Sequence, residues 1–261
     1  MFLPMIYFAL SHITDPARHR AENELFQLYH QPELRSLPEI AWVDRWVRAP
    51  DCTAPSAQTA ECRFDYAWMS WLRPPADAGA RACAEHFERG AQLGLHSRAW
   101  AQTAQEAFMV PLKGYVRREA LLSAEALPFR PNTGAYLVVS QFFRHHDAEA
   151  EDVFRWYDQT RIPDLLNCAG AAGAWTFAAR EFYAPDRDLT QPMLRMTLVY
   201  LDNDPLAFAA EASELPSSRT RDTSHLEKIL FAGPLRAIVP WQWDWFDASD
   251  ARTAAQPARK V

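Results

Sequence analysis

The sequence predicts an α+β protein made of two tandem β-α-β-β-α-β units, and three observations predict it. Apolar, aromatic runs of strand length alternate with amphipathic helical stretches in the same order twice. Residues recur at nearly constant offset: Tyr7 and Ser11 match Tyr136 and Ser140, 129 apart, and Phe26, Tyr29 and Gln31 match Phe154, Tyr157 and Gln159, 128 apart. The stretch from Asp147 to Tyr183 reads as helix, broken extension, small-residue turn and strand, and Glu22 to Val47 is a fainter copy of it. The first unit is placed at 1–126, the second at 134–246, and a polar, Ala-rich tail at 247–261 is expected to be disordered.

In the first unit, Met5 to Ile13 has the composition of a buried strand. Asp15 and Pro16 supply a cap and a first helical residue, and Leu25, Leu28 and Tyr29 recur at helical spacing. Pro32 is expected to end the regular helix or to force a break near His30 and Gln31, because proline lacks a donor and crowds the preceding turn. Ile40 to Arg48 alternates as a strand, with Trp42, Asp44 and Trp46 on one face and Val43, Arg45 and Val47 on the other. A long loop is expected over Ala49 to Glu61, a strand from Phe64 to Arg73, and a helix from Asp77 to Leu93 packing Ala82, Phe87 and Gly90. Leu95 to Glu106 fits no one element; Phe108 to Arg117 reads as a strand with Pro111 at an edge or bulge.

The second unit reads as a strand from Ala135 to Phe143, a helix from Asp147 to Arg161, a strand from Ala174 to Tyr183 and a turn at Pro185 and Asp186. A strand from Met193 to Tyr200 follows, then a helix opened by Asp204 and Pro205, and a last strand from Leu230 to Trp245, bent at Pro234 and Pro240. Both units follow the ferredoxin-like plan.

Composition narrows the function. With 261 residues, 49% of them hydrophobic, the chain can bury a sizeable core. A net charge of -6 argues against a nucleic-acid or anionic-membrane surface. Cys52, Cys62, Cys83 and Cys168 have no metal-binding or paired spacing and read as reduced thiols, with a Cys52–Cys62 disulfide the minority reading. The apolar start is too short to span a bilayer and lacks a basic leader, so a cytoplasmic protein is expected. No phosphate-binding glycine loop, dinucleotide fingerprint or nucleophile elbow occurs.

The segment Phe154-Arg155-Trp156-Tyr157-Asp158-Gln159-Thr160-Arg161-Ile162-Pro163-Asp164-Leu165-Leu166, followed by the turn at Cys168 to Ala171, resembles the signature of the dimeric α+β barrel superfamily, in particular its EthD-like branch. The resemblance implies two ferredoxin-like sheets closed face to face into an eight-stranded barrel, here within one chain as a pseudo-dimer, or in a homodimer. It also implies a pocket between sheet and helices that takes an apolar or aromatic small molecule, with haem a minority ligand. Relatives include isomerases, cyclases, cofactor-free monooxygenases, haem-degrading enzymes and proteins of unknown role. A cofactor-independent isomerase, cyclase, lyase or monooxygenase acting on a small aromatic or cyclic carbonyl compound is expected, and the alternative is a non-catalytic binding protein for an apolar small molecule or haem. Where many relatives carry a histidine before the hydrophobic-Pro step, this chain has Arg161, and Glu33 in the first unit.

That departure moves the expected acid/base chemistry to His12, Tyr29 and His30 in the first unit, since Gln141 replaces His12 in the second. The bland reading of His12 is a half-solvated strand end. Tyr157 and Arg161 are expected in the pocket, Arg161 to hold a carboxylate or enolate; an Asp158–Arg161 surface pair is the simpler reading. Trp42, Trp68, Trp156 and Trp175 are further ligand-binding candidates, although aromatic strand residues are more often core. His145, His146 and Asp147 read as an exposed loop with Asp147 as a helix cap, and no spacing supports a metal site.

Overall fold

The computed structural model describes residues 3–52, 57–95, 101–117, 120–144, 147–179, 193–215, 221–238 and 245–246. Its nine strands are β1 (Met5–Ile13), β2 (Ile40–Val47), β3 (Ala57–Gln58), β4 (Tyr66–Leu72), β5 (Ala101–Val116), β6 (Gly134–Phe142), β7 (Ala171–Ala179), β8 (Met193–Leu201) and β9 (Glu227–Ala237). They pair in the order β2-β4-β1-β5-β7-β8-β6-β9-β3, and β2 also pairs with β9, so eight strands close on themselves. Every pairing is antiparallel. The helices are α1 (His19–Leu25), α2 (Gln31–Ser36), α3 (Ala76–Gln92), α4 (Ala148–Trp156), α5 (Ile162–Asn167) and α6 (Pro205–Ser213).

Closing a sheet removes its edges but encloses a volume that side chains must fill. Trp46, Trp71, Trp175, Phe8, Phe64, Phe177, Phe231 and Tyr200 fill it, together with Met69, Met109 and Met196. Trp175 packs edge-on against Trp71 at 5.7 Å, and its indole donates to the Ala124 carbonyl at 2.8 Å. Gly114 allows this approach, because a Cβ there would stand 2.8 Å from the Trp175 ring. The alternate residues of each strand face outward beneath the helices.

The two seams differ in length. Strands β5 and β7 pair from Met109↔Ala179 to Val116↔Gly173, with a bulge between Pro111 and Lys113. Strands β2 and β9 share only Trp46↔Ala237 and Val47↔Arg236. Arg236 reinforces the short seam by donating to Asp51 at 2.6 Å and to Asp204 at 3.3 Å.

Several expectations change. The break expected near His30 and Gln31 is a π-helical turn, Phe26–His30, that feeds directly into α2, so the chain stays helical with Pro32 in the first turn of α2. Pro32 has no amide to give the ladder, and the turn before it takes the wider π form, with the Gln31 amide bonded to the Phe26 carbonyl. The second half repeats the device, with a π turn at Tyr157–Arg161 and Pro163 opening α5, so the expected broken extension is helical. The π turns, α2/α5 and the next strands therefore stand 131 apart rather than 128, while β1 and β6 keep 129. On this register Arg161 corresponds to His30, not Glu33, and Tyr157 to Phe26.

The expected loop after β2 contains the short strand β3, which pairs with β9. Residues 101–106, which fitted no element, belong to β5, a strand of 16 residues. Helix α3 buries Gly79, Ala80, Cys83, His86 and Gly90, and Ala82 lies at the margin. All four cysteines are buried and free, so the minority disulfide does not form. His145, His146, the turn at Pro185 and Asp186, Pro240, Trp241, Trp243 and the 247–261 tail lie outside the described residues. Among the described residues no helix is long and apolar enough to cross a membrane.

Asp44 points into the barrel. The Trp42 indole donates to its Oδ1 at 2.9 Å, but Oδ2 has no hydrogen-bond partner among the described residues. Burial pushes its pKa up from 3.8 to about 7, with the Trp42 bond and the Arg35 charge opposing. The folded state therefore holds this proton more tightly than the unfolded chain, and its contribution to stability falls as pH rises from about 4 to about 7. Asp44→Asn keeps an oxygen for Trp42 and removes the charge. Chemical denaturation should find it more stable than wild type at pH 8, by on the order of 2–4 kcal/mol, with a flatter profile between pH 4 and 7. A variant less stable at pH 8 would count against this burial penalty.

Candidate active site

A cavity of about 220 Å³ lies on the outer face of the second-half sheet. Val138, Ser140 and Phe142 of β6, Thr176 and Phe177 of β7, Arg195, Met196 and Thr197 of β8, and Glu227 of β9 form its floor. Phe154, Tyr157 and Asp158 cover it from α4 and the π turn, and Leu112 and Lys113 of β5 form one side. The π turn positions the cover: its wider helical turn places Tyr157 over the strands while Pro163 and α5 continue the chain.

Among the polar groups of this mixed lining, Glu227, Tyr157 and Arg195 stand out. Glu227 is only 4% exposed. The Tyr157 hydroxyl donates to its carboxylate, 2.8 and 2.9 Å from the two oxygens, and Thr223 donates at 2.9 Å. Burial, and then the neighbouring Glu227 charge, hold the Tyr157 pKa well above the ordinary phenol value, so Tyr157 remains a donor.

Arg195 is the third group. Its guanidinium lies 3.6 Å over the Phe154 ring, and its buried Nε has no hydrogen-bond partner among the described residues. Burial lowers its pKa from 12.5 to about 10, opposed by the charges of Asp158 and Glu227. It is a cation through the neutral range, with an unused donor. At the mouth, Tyr115 and Lys113 donate to opposite oxygens of Asp158, the lysine at 3.2 Å, which commits that carboxylate to its neighbours.

The predicted site residues separate. Tyr157 lines the cavity; Trp42, Trp68, Trp156, Arg161 and Trp175 do not. Trp42 donates to Asp44 and stacks under Arg35 at 4.0 Å, and Trp175 is barrel core. Trp68 packs with Tyr7, Phe26 and Phe87 under the first-half helices, and Trp156 lies against Tyr157 at 4.9 Å. Arg161 is partly buried, close enough to Tyr157 for its charge to favour that phenolate.

Tyr29 and His30 do come together, and the partner that joins them is His86 of α3: His30 Nδ1 and His86 Nε2 are 2.9 Å apart, and Tyr29 stacks on His86 at 6.2 Å. His12 pairs instead with Asp65, Nδ1 to Oδ2 at 2.7 Å. It alternates away from the helix-facing residues Tyr7 and Ser11 on β1, which is why proximity in sequence order did not become proximity in space.

Arg195 and Glu227 were missed by sequence reasoning. Arg195 had a signal, being a lone charge at an outward-facing place in an otherwise apolar central strand. Glu227 had less, because the last strand was expected to begin at Leu230.

The fold and cavity define a class: a closed, antiparallel α+β barrel with a small helix-covered pocket on its outer face. Similar solved structures share that fold. A candidate chlorite dismutase is 12% identical with a TM-score of 0.52, over 95% of this chain and 99% of that one. A candidate monooxygenase from Fusobacterium nucleatum subsp. nucleatum is 8% identical with a TM-score of 0.53, covering 92% and 94%. An anthrone oxidase-like protein is 8% identical with a TM-score of 0.51, covering 91% and 92%. No family model matches the chain, and no curated protein matches it.

Buried Glu227 depends on its two donors. Removing Tyr157 or Thr223 as a donor leaves less support for a desolvated carboxylate, a loss on the order of 1–3 kcal/mol. Tyr157→Phe should lower the unfolding free energy in this range at pH 7, and Glu227→Gln in the same background should restore part of it. Independent, additive effects in this double-mutant cycle would sink the pairing.

Proposed function

We propose that the chain is an enzyme acting, without a cofactor, on a small aromatic or cyclic carbonyl compound in the second-half cavity. The observation that carries this reading is the placement of Arg195, whose buried Nε has no hydrogen-bond partner among the described residues, in the same cavity as a buried carboxylate, Glu227, held by Tyr157. Glu227 takes a proton from a carbon or hydroxyl of the substrate, and the electron pair left behind becomes an enolate or phenolate oxygen held by Arg195. Return of the proton at another atom gives isomerisation. Cyclisation, elimination and attack on dioxygen begin from the same anion, so isomerase, cyclase, lyase and monooxygenase chemistry share this step.

The size of the cavity supports a compact substrate. An apolar cavity of about 150 Å³ accepts a benzene ring, so about 220 Å³ suits one substituted ring or two fused rings. Haem fits poorly. Pockets that enclose drug-sized ligands span roughly 300–1,000 Å³, and the described lining contains no histidine or cysteine to ligate iron, while its one tyrosine, Tyr157, is bonded to Glu227. A purely binding role would be served by the apolar walls alone and gives no account of the Glu227–Arg195 pair. We further read the chain as an EthD-like member of the dimeric α+β barrel superfamily, two tandem ferredoxin-like units acting as an internal pseudo-dimer in the cytoplasm.

The general test does not need the natural substrate. Cyclic 1,3-diketones and hydroxylated one- and two-ring aromatics are incubated with the protein in D2O, and solvent deuterium entering the substrate is followed by NMR. Wild type should accelerate exchange for at least one compound. Glu227→Gln should lower that rate by on the order of 10²–10⁴-fold, and Arg195→Met should reduce it strongly, while His12→Ala should exchange at the wild-type rate. Undiminished exchange in Glu227→Gln would remove this carboxylate as the base. Titration with haem should produce no stoichiometric Soret species, and one that does would overturn the cofactor-free reading.

A further inference from the structure

The first half has a polar cluster where the second half has its cavity. Ser140 pairs with Arg195 across β6 and β8, and Ser11 pairs with Tyr66 across β1 and β4, so Tyr66 takes the place of Arg195. By the same register Arg45 takes the place of Thr176, and Phe26 that of Tyr157. Arg45 is larger than Thr176, and its guanidinium lies 4.3 Å over the Phe26 ring and 4.3 Å over the Tyr66 ring. Arg45 donates to Asn23 at 2.6 Å, and Asn23 donates to the Tyr66 hydroxyl at 2.7 Å. The Tyr66 hydroxyl also lies 2.9 Å from His19 Nδ1. All four residues are buried.

An additional ring covers the cluster. Phe246, a turn residue near the C-terminal end, lies parallel on the His19 imidazole with centroids 3.7 Å apart and 10° between planes, and edge-on to Tyr66 at 6.1 Å. It also lines a separate cavity of about 380 Å³, whose wall carries Arg48 and Arg63. Arg48 Nη1 donates to Gln58 at 2.7 Å, but its buried Nε has no partner among the described residues. The acidic group there, Asp65, already accepts from the Ile13 amide at 2.8 Å and lies 2.7 Å from His12. The wall therefore offers a positive charge and an unused donor beside a ring that stacks as an aromatic ligand would.

We propose that the His19–Tyr66 cluster and the adjoining cavity form a second binding site, for a small aromatic carboxylic acid, and that the Phe246 side chain occupies its ring position. The ligand ring stacks on His19 in place of Phe246, and its carboxylate reaches Arg48. Geometry selects the aromatic part, and charge-assisted bonding selects the acid over a neutral analogue. The site is separate from the second-half cavity and does not depend on the reaction assigned there.

The test uses the full chain and isothermal titration with 3-phenylpropionate, and with 3-phenylpropanol as the neutral probe. Arg195→Met is present throughout, so that the other cavity does not capture the acid. The Arg195→Met chain should show no saturable binding at millimolar probe, whereas adding Phe246→Ala should give one bound 3-phenylpropionate per chain. The alcohol should bind roughly tenfold or more weakly, and a further Arg48→Met should erase that preference. Absence of stoichiometric binding to a folded Phe246→Ala chain overturns the site. Equal binding of acid and alcohol, or an unchanged preference without Arg48, overturns the assignment of the ligand class. Phe246→Val provides the same readout if thermal melting shows the alanine variant to be poorly folded.

Discussion

A closed barrel must fill its own inside, and here that requirement decides where anything else can happen. Eight strands enclose a space that is taken up by tryptophans, phenylalanines and methionines from both halves, the rings packed largely edge-on. At the density of a protein interior, little room is left for a ligand. Binding has to occur on the outer face of the sheet, beneath helices. There the second half leaves a cavity, because Thr176, Arg195 and Thr197 project outward. The first half sets Arg45, Tyr66 and Trp68 in the corresponding places. One architecture thus yields an open pocket in one half and a packed polar cluster in the other.

The π turns connect that architecture to chemistry. A strictly α-helical path through Tyr157 would carry one residue fewer before Pro163 and rotate every later side chain by about 100°. The extra residue lets α5 bury Ile162, Leu165 and Leu166 while Tyr157 still faces Glu227. The same device in the first half lets α2 bury Leu34 while His30 reaches His86. A helix irregularity at this position does more than accommodate a proline. It separates the face that holds the fold from the face that holds the site.

Much of the fold was legible in the sequence because it rests on local periodicity. Alternation placed Trp42, Asp44 and Trp46 on one face of β2, and the Asp-Pro pairs marked the helix starts at Asp15 and Asp204 with their capping bonds. The register between halves was less legible. An apparent 128-residue offset matched aromatic letters, whereas the backbone aligns the π turns and their prolines at 131. The site was least legible because it is made from distant strands. His12 had attractive chemistry but an unfavourable face. Arg195 and Glu227 have unremarkable sequence neighbours and become significant only when β8 and β9, flanking β6, bring them under α4. Of the tryptophans read as a ligand platform, Trp175 went to the interior demanded by barrel closure and Trp68 to the packing under the first-half helices.

The spacing of charge around the cavity is the strongest physical reason to regard it as more than a packing defect. A structure selected only for stability would place Glu227 against Arg195, or replace both with apolar groups, because an isolated buried charge is costly. Instead Glu227 is satisfied by two neutral hydroxyls, from Tyr157 and Thr223, and Arg195 rests on the face of Phe154. Hydroxyl donors support a carboxylate without neutralising it, and a ring face supports a guanidinium without using its donors. The Arg195 Nε, without a hydrogen-bond partner among the described residues, is thereby left to a third party in the cavity. Such an arrangement has a stability penalty that a ligand developing negative charge at one end, while releasing a proton at the other, would relieve. That is the property expected of a site complementary to an ionising substrate rather than to a neutral one.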